Sequence, residues 1–140
     1  MSIYVSKGLH SRVLDPEFEE GDVVCFERTM GSTSIIKSCE RAYDKTALST
    51  ISHNATITIG PQFYPYPVSL AGNVPMKVIC DNPIKLGDSL VTSDISGYAM
   101  KLDISDVTTF EEMQDRNDAV FAKALEPCNS GRNLIRAWIK

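Results

Sequence analysis

The stretch Pro67–Met100, PVSLAGNVPMKVICDNPIKLGDSLVTSDISGYAM, constrains this chain more than any other. It divides into short β-like runs separated by turn chemistry. In Val74–Cys80, Val74, Met76 and Val78 alternate with Pro75, Lys77 and Ile79, so one face is apolar and the other mixed. Asp81-Asn82-Pro83 ends that run, because Asn and Asp favour turns and proline cannot donate to a ladder. Gly87-Asp88 follows Ile84-Lys85-Leu86 as a tight turn, with glycine free to take positive φ. Ser89–Thr92 is then a second strand. Ser96-Gly97 turns again, and Tyr98–Leu102 is a third.

The same grammar runs through the rest of the chain. Gly21-Asp22 introduces Val23–Arg28, a mostly apolar run of the kind buried on both faces. Ser34–Cys39 and Ala47–Ile59 are further strand candidates, the latter turning at Ser52-His53-Asn54. Leu134–Ile139 is a terminal strand with Ile135, Ala137 and Ile139 on one face. One helix is expected near 109–116. Thr109 and Glu112 are spaced as a capping box, and Phe110 and Met113, with Val107, are expected to form its buried side. Gly21-Asp22 with Ala47–Ile51 echoes Gly87-Asp88 with Ala119–Leu125, at separations of about 26 and 32 residues. The expectation is two related β-halves wrapped into one barrel-like core.

At 140 residues the chain is read as one domain, 1–140, with residues 1–16 as an N-terminal arm. The net charge of −4 comes with no Lys/Arg run to mark a phosphate-binding face, so nucleic acid is not an expected partner. No apolar segment is long enough to span a membrane, and residues 1–10 do not read as a signal peptide. Cys25, Cys39, Cys80 and Cys128 form no C-x-x-C pair and lie far in sequence from His10 and His53, which argues against zinc. Cys25 and Cys80 sit in strand-like runs, where a buried free thiol is the common outcome. Four free cysteines are therefore expected, with a disulfide left open.

No nucleophile elbow, Walker loop, H-E-x-x-H or G-x-G-x-x-G motif is present. His53 beside Ser52 is read as a polar turn residue rather than a base. Asp22 and Asp88 are read as turn stabilisers that accept from nearby backbone N–H groups, rather than as a catalytic carboxylate pair. The chain is expected to be no enzyme and to hold no cofactor or metal. Gly21, Asp22, Gly87, Asp88 and Gly97 are its structural turns. The best binding candidates are Phe63, Tyr64 and Tyr66 in Pro61–Pro67, where three prolines in seven residues exclude a helix and a central strand. Such rings pack on the domain, fill a subunit contact or stack on sugars.

The ordered motifs from Pro67-Val68 through Gly72-Asn73-Val74-Pro75-Met76-Lys77-Val78, Pro83-Ile84-Lys85-Leu86-Gly87-Asp88, Gly97-Tyr98-Ala99-Met100-Lys101 and Ala122-Lys123-Ala124-Leu125-Glu126-Pro127 also carry a resemblance. With Gly21-Asp22-Val23-Val24 upstream, they resemble a β-rich domain found near the ends of phage tail-fibre and appendage-like proteins, over roughly Glu17 to Lys140. In that pattern the helix segment looks like an insertion. The resemblance implies a mainly β fold, a compact antiparallel barrel-like or β-clip-like domain. It implies a structural protein of a virus or phage-like particle (fibre, appendage or capsid-surface component), acting through self-association, with a trimer favoured, and contacts to other particle proteins. It would belong to a virion and assemble in the cytoplasm, which buried free thiols would suit. Two alternatives stand beside it. One is a tip module that binds a host receptor or glycan. The other is an autoprocessing or intramolecular-chaperone domain, for which Asp15-Pro16 is the one acid-labile bond near the start of the domain.

Overall fold

A computed structural model describes residues 2–7, 18–30, 33–52, 58–59, 66–69 and 72–139. The elements in chain order are β1 (Ser2–Lys7), β2 (Val23–Met30), β3 (Thr33–Ser38), β4 (Ala47–Thr50), β5 (Thr58–Ile59), β6 (Tyr66–Ser69), β7 (Gly72–Ile79), β8 (Ser89–Thr92), β9 (Ala99–Lys101), α1 (Phe110–Asp118), β10 (Ala122–Ala124) and β11 (Arg132–Ile139). Five strands close into a barrel in the order β10-β11-β7-β9-β8. The others form a second sheet, β4-β2-β3-β1-β5, with β6 paired to β1. The domain is thus mainly β with one short helix. Most pairings are antiparallel, but β7 runs parallel to β9, and β1 runs parallel to both β3 and β5.

The barrel interior follows from period-two alternation. Val74, Met76 and Val78 point inward from β7, and Ile135, Ala137 and Ile139 from β11. Ala99, Ala122 and Ala124 supply small side chains opposite them, which a narrow five-stranded ring needs if Met76 and Leu90 are to fit. Burying these side chains is what holds the ring closed, at about 25 cal/mol per Å² of apolar surface removed from water. β2 is buried on both faces: Val23 and Cys25 join the barrel core, while Val24 packs with Phe18, Ile36 and Ile51 in a smaller cluster. One strand thereby welds the two sheets together.

The two halves share a hydrogen-bonding scheme. The Gly21 N–H donates to the Ile51 carbonyl at 2.9 Å, and the Ile51 N–H to the Asp22 carbonyl at 3.0 Å. In the same way the Gly87 N–H donates to Ala124 at 2.8 Å, and the Ala124 N–H to Asp88 at 2.9 Å. β2 is flanked by β3 and β4, all antiparallel; β8 is flanked likewise by β9 and β10.

Several expectations need correction. The cysteines are not free: Cys25 bonds Cys39 and Cys80 bonds Cys128, with Cα–Cα distances of 5.2 and 5.9 Å. Strand pairing, which sequence spacing does not display, brings each pair together. Cys39 leaves β3 alongside β2, and Cys128 pairs through its backbone with Ile84, just beyond Cys80. With all four cysteines in disulfides, no free thiol supports assembly in a reducing cytosol. Helix α1 buries no side chain; Phe110 is 77% exposed and Met113 is also exposed. Its nine residues are held by polar contacts instead. Residues 2–7 of the expected arm form β1, inside the second sheet between β3 and β5. Tyr66 and Pro67, read as loop, begin β6, whose one partner among the described residues is β1, an edge position that tolerates proline.

Candidate interaction surface

The five turn residues fall into two equivalent joints. Gly21 has φ +86°, and the Asp22 Oδ2 accepts from the Glu19 N–H at 2.7 Å. Gly87 has φ +89°, and the Asp88 Oδ2 accepts from the Lys85 N–H at 2.8 Å. Each aspartate also meets a lysine from a neighbouring strand: Lys77 Nζ lies 2.7 Å from Asp22, and Lys101 Nζ 3.5 Å from Asp88. These are two similar turns, each with its own cation. The first joint links the sheets. The Val23 N–H donates to Gly97, the Gly97 N–H to Cys39, and the Lys77 N–H to Gly21. Gly97, at φ +81°, lies so close that an added Cβ would come within 2.9 Å of Asp22 Oδ1. Burial works to lower the Lys77 ammonium, but hydrogen bonds and charge from Asp22 and Glu19 outweigh it and hold its pKa above the ordinary lysine value.

The aromatic candidates are divided by what is described. Phe63 and Tyr64 lie outside the described residues; the Tyr66 backbone opens β6 opposite Val5. His10, His53 and Asp15-Pro16 also lie outside them.

Three surface features emerge that sequence reasoning did not single out. The first is the uncovered side of α1. The Thr109 hydroxyl accepts from the Glu112 N–H at 3.2 Å, which caps the helix start, and Glu112 reaches back toward the Thr108 N–H at 3.5 Å. Arg116 pins the helix from one side. It donates to the Asp103 carbonyl and to Asp106 Oδ1, both at 2.7 Å, and its guanidinium lies 4.8 Å from the centre of the Tyr43 ring. The hydrogen bond from Arg116 holds the Asp106 carboxyl below the usual range. Lys45 pairs with Asp115 on the same side. Tyr43 has φ +57°, its N–H donates to Thr92 and its hydroxyl to Asp103. Phe110, Met113 and Ile104 are left facing solvent, and the helix's first turn carries the exposed Glu111 and Glu112.

The second feature is the outer face of β11, where Arg132, Leu134, Arg136 and Trp138 alternate with the core residues. Trp138 is 52% exposed and stands opposite Lys123 of β10. The signal was present in the sequence: an alternating strand whose outward positions carry Leu and Trp between arginines. The third is a groove of about 280 Å³, walled by Tyr43, Ile79, Ile95 and Met100 with Asp81, Asn82, Asp94 and Lys101 at its polar edge.

Neither a family model nor a curated protein matches the chain. Among solved structures, the chain is similar to the head fiber gp8.5 N base of bacteriophage phi29, at 16% identity and a TM-score of 0.51. The match covers 100% of this chain and 93% of that one. At this identity the likeness is one of fold alone.

Proposed function

We propose that this chain is a structural protein of a phage-like particle, a fibre, appendage or capsid-surface component. It acts through self-association and contacts with other particle proteins, with a trimer as the expected stoichiometry and no catalytic step. The observation that carries this reading is the end-to-end likeness to a head fiber base. That match spans the whole chain, both sheets and the helix included. The exposed Phe110 and Trp138 add physical support, because aromatic side chains with charged neighbours are the usual anchors of protein–protein contacts. The test is compositional. Particles produced by the genome that encodes the chain are purified, digested and analysed by mass spectrometry, then labelled with antibody for electron microscopy. Peptides from the chain and label on the particle surface are expected. Intact particles free of both would end the proposal.

A second reading, a receptor- or glycan-binding tip, is favoured by the groove beside Tyr43. Asp81, Asn82 and Asp94 there have no hydrogen-bond partners among the described residues, and they edge an apolar floor. Such a lining suits a hydroxyl-rich ligand without negative charge. A glycan array that stays blank at high protein concentration would remove it.

A further inference from the structure

The self-association proposed above leaves open which surfaces meet. We infer that copies of this chain join head to tail, the exposed Phe110 and Met113 of α1 in one copy, with the helix's acidic first turn, seating on the apolar and basic outer face of β11 in the next.

The helix supplies the first half of the argument. Nine residues are too few to hold a helix in water on propensity alone, and α1 buries none of its side chains. The polar ties of Arg116 and Lys45 explain why it stays in place, but they do not explain why a phenylalanine stands 77% exposed on its free side. The first turn that carries that ring is acidic: Glu111 and Glu112 are both exposed, and neither forms an ion pair among the described residues.

The barrel supplies the second half. Trp138 and Leu134, each about half exposed, project from β11 with Arg132 and Arg136, and Lys123 stands opposite Trp138. None of these three cations forms an ion pair among the described residues, and the one carboxylate that meets Arg136, Glu126, accepts from its backbone N–H at 2.7 Å. Arg136 donates to the Asn73 side chain at 2.6 Å, and Arg132 lies over the Tyr98 ring at 5.3 Å. One face therefore pairs apolar area with open negative charge, and the other pairs it with open positive charge. That complementarity selects a second copy as the occupant of each.

Topology sets the mode of association. In the ring, β11 pairs with β10 and β7, whereas Tyr43 and Arg116 anchor α1 beside the ends of β8 and β9. The two faces are different patches on different strands, so the contact is heterologous and propagates. It closes into a ring when the rotation permits, and a trimer is one such closure.

The test uses two defective variants of the full chain. One carries Phe110→Ser and Met113→Ser; the other carries Trp138→Ser and Lys123→Glu. Each alone should associate at least about tenfold more weakly than wild type by light scattering, with an unchanged circular dichroism spectrum. Mixed one to one, they should form a single heterodimer, because only one intact helix face and one intact barrel face remain. Should the Trp138→Ser chain fail to fold, Glu111→Lys with Glu112→Lys tests the same contact at exposed helix positions, and association should weaken comparably. A wild type that associates while the variants associate equally well, or a mixture that yields no heterodimer, overturns this contact and leaves self-association standing. A monomeric wild type overturns both.

Discussion

Removing the Cys80–Cys128 disulfide should cost more stability than removing Cys25–Cys39. The two bonds are chemically alike and their sulfurs are all buried, so truncating each pair to alanine leaves similar voids. What differs is the loop each bond closes: 48 residues of sequence separation against 14. Restriction of the unfolded chain grows with the logarithm of that length, which gives roughly 4 kcal/mol for the long loop and roughly 3 kcal/mol for the short one. The difference of about 1 kcal/mol is the sharper number, because cavity costs largely cancel from it. The assay is urea unfolding of Cys80→Ala/Cys128→Ala and Cys25→Ala/Cys39→Ala beside wild type, preceded by thiol labelling of the native and unfolded wild-type chain. Labelling should find no free thiol in either state. Labelled cysteines, or a larger loss for the short loop, would refute the reasoning.

The repeated turn gives a paired prediction. Gly87→Ala meets open space and should lose only the left-handed backbone cost of about 1–2 kcal/mol, whereas Gly21→Ala must also displace the Leu134 tip and approach the Lys77 nitrogen, so its urea midpoint should fall further. Thr50 is fully buried and its hydroxyl has no partner among the described residues, so Thr50→Val should leave stability unchanged or raise it by about 1 kcal/mol in the same assay. Burial would push Asp44 up, but hydrogen bonds from the Thr46 side chain and backbone, with Arg41 and Lys37 nearby, bring its pKa below the ordinary 3.8. A lowered carboxylate stabilises the fold above that value and loses its contribution as the pH falls through and below it; Asp44→Asn should flatten the pH dependence of the melting temperature in that window.

Much of this fold was legible in the residues because alternation is a local signal. Val74, Met76 and Val78 declared their inward face, as did Ile135, Ala137 and Ile139, and both strands are as read. Gly21-Asp22 and Gly87-Asp88 marked two equivalent joints, and the matching carbonyl partners at Ile51 and Ala124 show why the echo was audible: one hydrogen-bonding plan needs the same short words twice. The misses were non-local. Cysteine pairing depends on which strands lie side by side, and spacing along the chain carries little of that. Phe110 and Met113 obeyed helical spacing, yet spacing does not say whether a surface exists to receive them. The outward Leu134 and Trp138 were visible as the other half of a strand's alternation, but their meaning required knowing that about half of each stays exposed among the described residues.

Self-association is the claim on which the functional account turns, and absolute mass measures it directly. Light scattering after size exclusion, across a concentration series reaching high micromolar, should give a stable multiple of the 15.5 kDa chain, with three copies expected. A mass that stays at one copy throughout would contradict the account. It would leave the groove beside Tyr43 as the place to look for a ligand.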